Sequence, residues 1–422
     1  MGRMRTSAIV SGVLLCLCWQ ATAQNRRLWV LKEPNSIVEY DPSTFAPKQT
    51  FTLPAEAVRA PGVLKVNGNG QMLFAPNPND PSPDVGKNGE EVWLWNGKAA
   101  TQLGRESLTT ISKTGSNQRI IESSPDVALS QDGGHLYWFT NEFSRLERDE
   151  IELSVKNTFR AWQTDLVGKD RQEIASFEIP ECRCPTGTCS ESCPEVDAWA
   201  SDEGVSSYFL VNRIVPGQTE TKYIGATLYT LENGEWHGTD LADQLQRILD
   251  AADNGTVIVS AIPDTGCCGW ENQSDDQTLI FNHGKKIVLF DEREQYKNPD
   301  YDVSFFTTKA KLSPDLAAVA MTIQASAKPG GAIQLSEEGQ GNPAESQRIR
   351  KALAELPAVQ IMSTGESGKR LAFLPHAFVA GWLSDKELLI VENEFLVDYN
   401  LSTGARRKSE IKVANPAYVI VR

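Results

Sequence analysis

The residues best equipped for chemistry are the cysteines. Four of them, Cys182, Cys184, Cys189 and Cys193, sit in ECRCPTGTCSESCPE from Glu181, with spacing C-x-C-x4-C-x3-C. Four thiolates can hold zinc tetrahedrally, but zinc sites are usually built from paired C-x2-C knuckles, which this spacing lacks. Two disulfides tying down a loop with no apolar residues of its own are the better reading. Cys267 and Cys268 are adjacent in DTGCCGWEN. They could form a strained vicinal disulfide, pair elsewhere or stay reduced, and the sequence does not choose among these. A vicinal disulfide makes a rigid plate that, with Trp270 beside it, could stack on the flat face of a ligand.

The remaining titratable groups carry less. Only four histidines occur, His135, His237, His283 and His376, and no two stand at metal-ligand spacing. There is no H-E-x-x-H, G-x-S-x-G, Walker or G-x-G-x-x-G pattern. With 55 Asp and Glu residues, some pair can always be found, so paired-acid catalysis is not assigned. No metal ligand set and no cofactor are expected. Calcium is the ion an acidic, oxygen-rich rim would suit, though no EF-hand is present. The N-x-S/T sequons at Asn254, Asn272 and Asn400 are of the kind chance supplies.

The N-terminus supplies an address. Arg3 and Arg5 form a basic stretch, Ile9 to Cys18 an apolar one, and Ala21-Thr22-Ala23 a small-residue site before Gln24. This is the pattern of a signal peptide over residues 1–23, cleaved after Ala23, and it predicts a secreted or periplasmic protein. Leu precedes both Cys16 and Cys18, where lipoprotein processing needs a small residue. Cleavage leaves six cysteines, an even number that suits disulfides in an oxidising compartment. No later apolar run approaches the roughly 20 residues of a membrane-spanning helix, so no transmembrane segment is expected after cleavage. Of the 422 residues, 40% are apolar and 23% charged, the composition of a chain that buries a core. The net charge of −14 argues against nucleic acid or an anionic bilayer as partner, although a local basic patch could hide within it.

What must position these groups is a repeat of hairpins. A strand, a short polar turn and a second apolar strand recur in VLKVNGNGQMLFAPN from Val63, VALSQDGGHLYWFT from Val127 and DAWASDEGVSSYFLVN from Asp197. The unit returns in ILDAADNGTVIVSAI from Ile248, TTKAKLSPDLAAVAMTI from Thr307 and FVAGWLSDKELLIVEN from Phe378. Each copy is followed by a second hairpin, with Asn-Gly, Gly-Lys or Thr-Gly at several of the turns, where residues tolerant of positive φ are needed. Two hairpins make a four-stranded sheet. Three strands precede the first copy, from Arg27, Ser36 and Lys48, and one follows the last, AYVIVR from Ala417. Three and one complete a seventh sheet. The expected fold is therefore all-β: one domain over residues 24–422, a seven-bladed β-propeller closed by the C-terminal strand joining the N-terminal blade. Six or eight blades, or two β-sandwiches, are the alternatives.

Several segments depart from the repeat. These are a Pro/Asn/Asp-rich loop at 76–90, a charged extension at 142–157 and the Cys-rich loop at 181–195. Leu241, Leu245, Ile248 and Leu249 have helical spacing within 239–252. An amphipathic helical insertion is expected near 344–356, before Pro357.

LSPDLAAVAMTI from Leu312 and LSQDGGHLYWFT from Leu129 resemble the WD40-like repeats of TolB-type bacterial propellers, which read Leu-Ser-Pro-Asp-Gly before an apolar strand. Here Leu316 replaces that Gly. The resemblance implies an exported propeller of a kind that often serves as an interaction platform, and it transfers no catalytic residue. Residues entering the innermost strands would form the rim of a central channel. Asp126, Glu195, Asp197, Lys309 and His376, with Trp270, are the candidates for binding a ligand there. The expected role is a binding or scaffold module for a protein or peptide partner in the cell envelope or outside the cell. The competing role is a propeller enzyme (hydrolase, lactonase or lyase) with a metal-dependent site in the channel.

Overall fold

The computed structural model describes residues 26–421, apart from 33–34, 55–60, 67–70, 77–91, 105–108, 114–117, 131–133, 149–150, 167–171, 180–195, 201–206, 217–220, 233–234, 242–244, 253, 262–276, 283–284, 297–302, 328–342 and 366–367. The described strands sort into seven antiparallel sheets, six of four strands and one of five, and the chain is a β-propeller. The first sheet is ordered Val419–Val421, Leu28–Lys32, Ser36–Tyr40, Pro47–Thr52. The second sheet runs from Pro61–Val66 to Ala100–Gly104. The third, five-stranded, is lengthened by the hairpin His135–Arg148 and Ile151–Asp165. The fourth spans Val196–Ala200 to Glu235–Leu241 and the fifth Leu245–Ala251 to Lys285–Asp291. The sixth spans Val303–Leu312 to Arg370–Pro375 and the seventh Ala377–Trp382 to Arg406–Lys412. Among the described residues no helix is long and apolar enough to cross a membrane.

The turns explain why the hairpins form. Ser313 N–H donates to Ala318 O at 2.8 Å while Ala318 N–H donates back to Ser313 Oγ at 2.9 Å. The Ser313 hydroxyl also donates to Asp315 Oδ1 at 2.7 Å, and Ala317 N–H reaches the same oxygen at 3.0 Å. The same exchange joins Ser130 and His135, at 2.9 Å in both directions. A short side-chain acceptor thus satisfies the backbone donors that a tight turn leaves open. Leu316 has φ +59°, the left-handed conformation a glycine would adopt freely. Two contacts offset that cost: Leu316 O accepts from Thr364 Oγ1 at 2.7 Å, and its side chain packs on the core of the fifth and sixth sheets.

Most sheets are apolar on both faces. Trp29 and Leu31 of the first sheet pack on Met72 and Trp95 of the second, while Leu28 and Val30 point the other way onto Leu389 and Val391 of the seventh. Trp29 and Trp95 meet edge to face, ring centroids 6.4 Å apart. Leu73 and Leu94 of the second sheet meet Leu136 of the third. The first strand of the fourth sheet lies against the third sheet's strand Gln118–Leu129. Leu228 packs on Ile248 and Val259 between fourth and fifth sheets, Ile258 and Ile280 on Phe305 and Met321 between fifth and sixth, and Ile361 on Val379 and Leu388 between sixth and seventh.

Two short helices complete the fifth and sixth sheets. Helix α1, Glu292–Tyr296, stacks Tyr296 on Phe305 at 3.9 Å. Helix α2, Pro343–Glu355, buries Ile349 in the same core. The helical spacing within 239–252 is a misreading: the described residues up to Ala251 belong to strands Glu235–Leu241 and Leu245–Ala251. The second of these carries register shifts at Leu245/Arg247 and Ile248/Asp250. Each bulge adds a residue to the two-residue strand period, and both sheet faces are buried, so Ile248 serves the fourth-sheet contact and Leu249 the sixth-sheet contact. Apolar residues three and four apart then arise without a helix.

Polar links cross the sheet boundaries too. Asp250, 5% exposed, accepts from Lys311 Nζ at 3.0 Å and from Leu312 N–H at 2.7 Å, tying fifth to sixth sheet. Trp382 Nε1 donates to Lys311 O at 2.9 Å and Val379 N–H to Thr322 Oγ1 at 2.8 Å, tying seventh to sixth. At the seventh-to-first boundary a Cβ on Gly381 would lie 2.9 Å from Val421 Cβ, so only glycine admits the approach. Val421 Cγ2 would lie 3.0 Å away as well, so Gly381→Ala is expected to cost about 1–3 kcal/mol in urea unfolding, with the Cγ2 share of the loss recovered when Val421→Ala, which keeps Cβ, is added. Removing the Asp250 carboxylate takes a charged acceptor from the part-buried Lys311 ammonium and from the buried Leu312 amide, so Asp250→Ala is expected to cost about 2–4 kcal/mol in the same assay.

Candidate functional site

The expected rim residues stand at different levels of description. Glu195, Trp270 and the cysteines Cys182, Cys184, Cys189, Cys193, Cys267 and Cys268 lie outside the described residues. Asp126 is within Gln118–Leu129, paired with Phe139, and Asp197 is the second residue of Val196–Ala200; these two strands are neighbours. Lys309 lies on the first strand of the sixth sheet beside a bulge, and its Nζ donates to Ala380 O of the seventh at 3.1 Å. His376 is exposed, with φ +56°, and immediately precedes that seventh-sheet strand; its N–H donates to Glu355 O at the end of α2. The structure thus brings Lys309 to the strand that His376 introduces. Among the described residues no group of three or more His, Cys, Asp and Glu side chains is placed to hold a metal.

A cleft stands elsewhere, at the boundary between seventh and first sheets. It holds about 770 Å³ and is lined by Arg26, Arg27, Lys48, Arg406 and Arg407, with Asp41, Glu387 and Asp398 among them. Its geometry follows from the pairing of Val419–Val421 with Leu28–Lys32. That pairing sets the start of the chain beside the last hairpin, Phe395–Asn400 and Arg406–Lys412. Both cleft-lining turns are held by side chains. Asp41 Oδ1 accepts from Ser43 and Thr44 N–H at 2.9 and 3.0 Å, and Asn400 Oδ1 from Ser402 and Thr403 N–H at 3.1 and 3.0 Å.

The cationic groups are fixed by carboxylates of their own sheets. Arg27 grips Glu39 through Nε at 3.1 Å and Nη2 at 2.8 Å, and lies over the Trp29 ring at 4.5 Å. Arg406 Nη1 donates to Glu392 at 2.5 Å, and Lys48 pairs with Asp41 at 3.2 Å. Arg407 spans the boundary: Nη2 donates to Asp398 at 2.8 Å in the seventh sheet, and the guanidinium also donates to Ser43 O and Pro42 O in the first. Its plane covers the Phe45 ring at 4.6 Å.

Two carboxyls are shifted in opposite directions. The Ser43 hydroxyl, the Thr44 amide and Lys48 hold Asp41 well below the usual carboxylate range. Burial pushes Asp398 up, with Glu387 adding to the rise, and the hydrogen bond and charge of Arg407 only partly oppose it. Arg407 is itself 46% exposed, so water screens its attraction, whereas the Asp398 side chain is 9% exposed and its Oδ1 has no hydrogen-bond partner among the described residues.

No family model matches the sequence, and no curated protein sequence matches it. Several solved structures show a distant similarity to the chain. The chain is similar to apo AztD from Citrobacter koseri, with TM-score 0.43 and 9% identity over 94% of this chain and 98% of that one. It is similar to the β-propeller domain of the Trilobed protease from Pyrococcus furiosus, with TM-score 0.41 and 12% identity over 92% and 95%. A third is the Pyrococcus horikoshii acylaminoacyl peptidase, with TM-score 0.44 and 13% identity, where 92% of this chain covers 51% of that one.

The cleft residues were absent from the sequence-derived candidates, yet a signal existed. Two arginine doublets, Arg26-Arg27 and Arg406-Arg407, flank the two strand groups expected to meet. The Asp398 shift can be tested directly. A carboxyl whose pKa is raised by folding stabilises the fold below its ordinary pKa, and that contribution is lost as pH rises through the folded value. The melting temperature of the wild type relative to Asp398→Asn is therefore expected to improve as pH is lowered from about 7 towards about 4. An unchanged or opposite trend would contradict the direction of the shift.

Proposed function

We propose that this chain is an exported β-propeller that binds a protein or peptide partner, and that the cleft between the last and first sheets is the contact site. The observation that carries the reading is the convergence there of five cationic side chains, from both ends of the chain, in a protein of net charge −14. A volume of about 770 Å³ lies within the roughly 300–1,000 Å³ typical of sites that enclose small ligands or the end of a larger one. Export is supported by the signal pattern of residues 1–23, and with it the disulfide reading of the six later cysteines. The seven sheets are, on this reading, seven blades of one ring that the last strand closes. Its support is the packing of each sheet on the next, including Gly381 against Val421. The paired Ser130 and Ser313 turns support kinship with TolB-type, WD40-like repeats.

Expression from its own start in a bacterial host should deliver the chain outside the cytoplasm with Gln24 at its N-terminus; retention with Met1 intact would overturn the export reading. Deleting residues 419–422 should expose the Leu28 and Val30 face and lower the melting temperature by several degrees, whereas an unchanged melt argues against closure by that strand. Crosslinking of the exported protein in its native envelope or medium, followed by mass spectrometry, should yield a partner peptide attached at the cleft. Crosslinks only at other surfaces would remove the cleft from the proposal.

A further inference from the structure

We infer that the cleft recognises an acidic peptide segment, one that presents Asp or Glu carboxylates in an extended stretch; this rests on the binding-module reading above. The reasoning begins with what the guanidinium groups have left to offer. An arginine carries five N–H donors in a planar fork. Arg27 engages Glu39 through Nε and Nη2, and Arg406 engages Glu392 through Nη1, which leaves N–H groups on each fork beyond those pairs. The side chains are roughly half exposed, at 48% for Arg27, 50% for Lys48 and 40% for Arg406, and all three line the cleft. The Glu39 and Glu392 contacts fix the rotamers before a ligand arrives, which lowers the entropy lost on binding.

The pattern of charge narrows the ligand. Asp41, Glu387 and Asp398 are interspersed among the cations, so the cleft is not a uniformly positive trough. A densely charged phosphate polymer would meet these carboxylates wherever it met the arginines. Single carboxylates spaced along a peptide can each sit on one guanidinium fork, bidentate and planar, and leave the acidic positions facing neutral backbone. The protein's net negative charge does not forbid this approach. At physiological ionic strength the screening length is about 8 Å, so the charges lining the cleft govern the final contact. Lys408 and Lys412, on the outermost strand of the seventh sheet, are engaged over the Phe395 ring at 3.9 and 5.6 Å and do not line the cleft.

The test uses fluorescein-labelled pentaglutamate and pentalysine with the purified exported protein, read by fluorescence anisotropy at rising salt. Pentaglutamate should bind with an affinity that falls as salt rises, and pentalysine should not. The double variant Arg406→Gln, Lys48→Gln should weaken pentaglutamate at least about tenfold, the loss of one or two charge-assisted contacts, while Lys408→Gln, outside the cleft, should change it little. Circular dichroism melts of both variants check that they stay folded. No binding of pentaglutamate, equal binding of both peptides, or equal weakening by Lys408→Gln and the cleft variant would each overturn the inference. A partner crosslinked at the cleft together with failure of pentaglutamate would overturn the acidic-peptide assignment alone and leave the binding-module reading standing.

Discussion

A sheet that is apolar on both faces cannot stand alone, and this constraint shapes the rest of the molecule. Leu28 and Val30 alternate with Trp29 and Leu31 on one strand, and the two sets serve two different neighbours. The same division recurs with Ile248 and Leu249, which the pleat sends to opposite sides, while the bulge between Ile248 and Asp250 keeps Ala251 on the side of Ile248. Each buried side chain contributes roughly 1.5–3 kcal/mol only if the neighbour on its own face is in place, so a sheet needs both neighbours to bury both sets. The fold is therefore a chain of mutually dependent contacts, in which polar links such as Asp250 to Lys311 join sheets that also share apolar packing.

The hairpins were legible because turn chemistry is local. A Ser or Asn side chain that caps its own turn does so with residues two to five positions away, so the Ser130, Ser313 and Asn400 turns could be read from the sequence. Pairings between strands of one hairpin follow for the same reason. The helical spacing within 239–252 misled because bulges imitate it: an extra residue in the strand shifts the apolar positions from two apart to three, and the apolar pattern alone does not separate that from a helix. Leu316 shows the same limit. A leucine in a left-handed turn is locally unfavourable, and what holds it is Thr364, 48 residues away in the chain.

The site was less legible than the fold. Attention to cysteines, histidines and the entrances of innermost strands selects residues by chemical type, whereas the cleft selects by meeting. Arg26 and Arg406 are ordinary surface arginines until Val419–Val421 pairs with Leu28–Lys32 and sets their segments side by side. Nothing in either doublet alone distinguishes it from a solvated charge pair. Of the residues chosen by type, Lys309 and His376 are drawn to one strand, while the strands of Asp126 and Asp197 are neighbours at another place in the fold.

Arg407 makes the boundary and the cleft a single structural problem. It holds two carbonyls of the first sheet, stacks on Phe45 and anchors on Asp398 of the seventh, so the geometry of the cleft wall is the geometry of the boundary. Asp398 bears the cost, since its burial disfavours the charge that Arg407 requires and its second oxygen has no partner among the described residues. An unfavourable carboxylate is maintained where its loss would free the arginine that spans the two sheets. The apolar seam beneath, from Val419 and Leu28 to Ala380 and Leu389, offsets that cost, and Gly381 lets the backbones come close enough for it to do so. The positions of the cleft cations thus depend on the tightness of an apolar contact that itself touches no ligand.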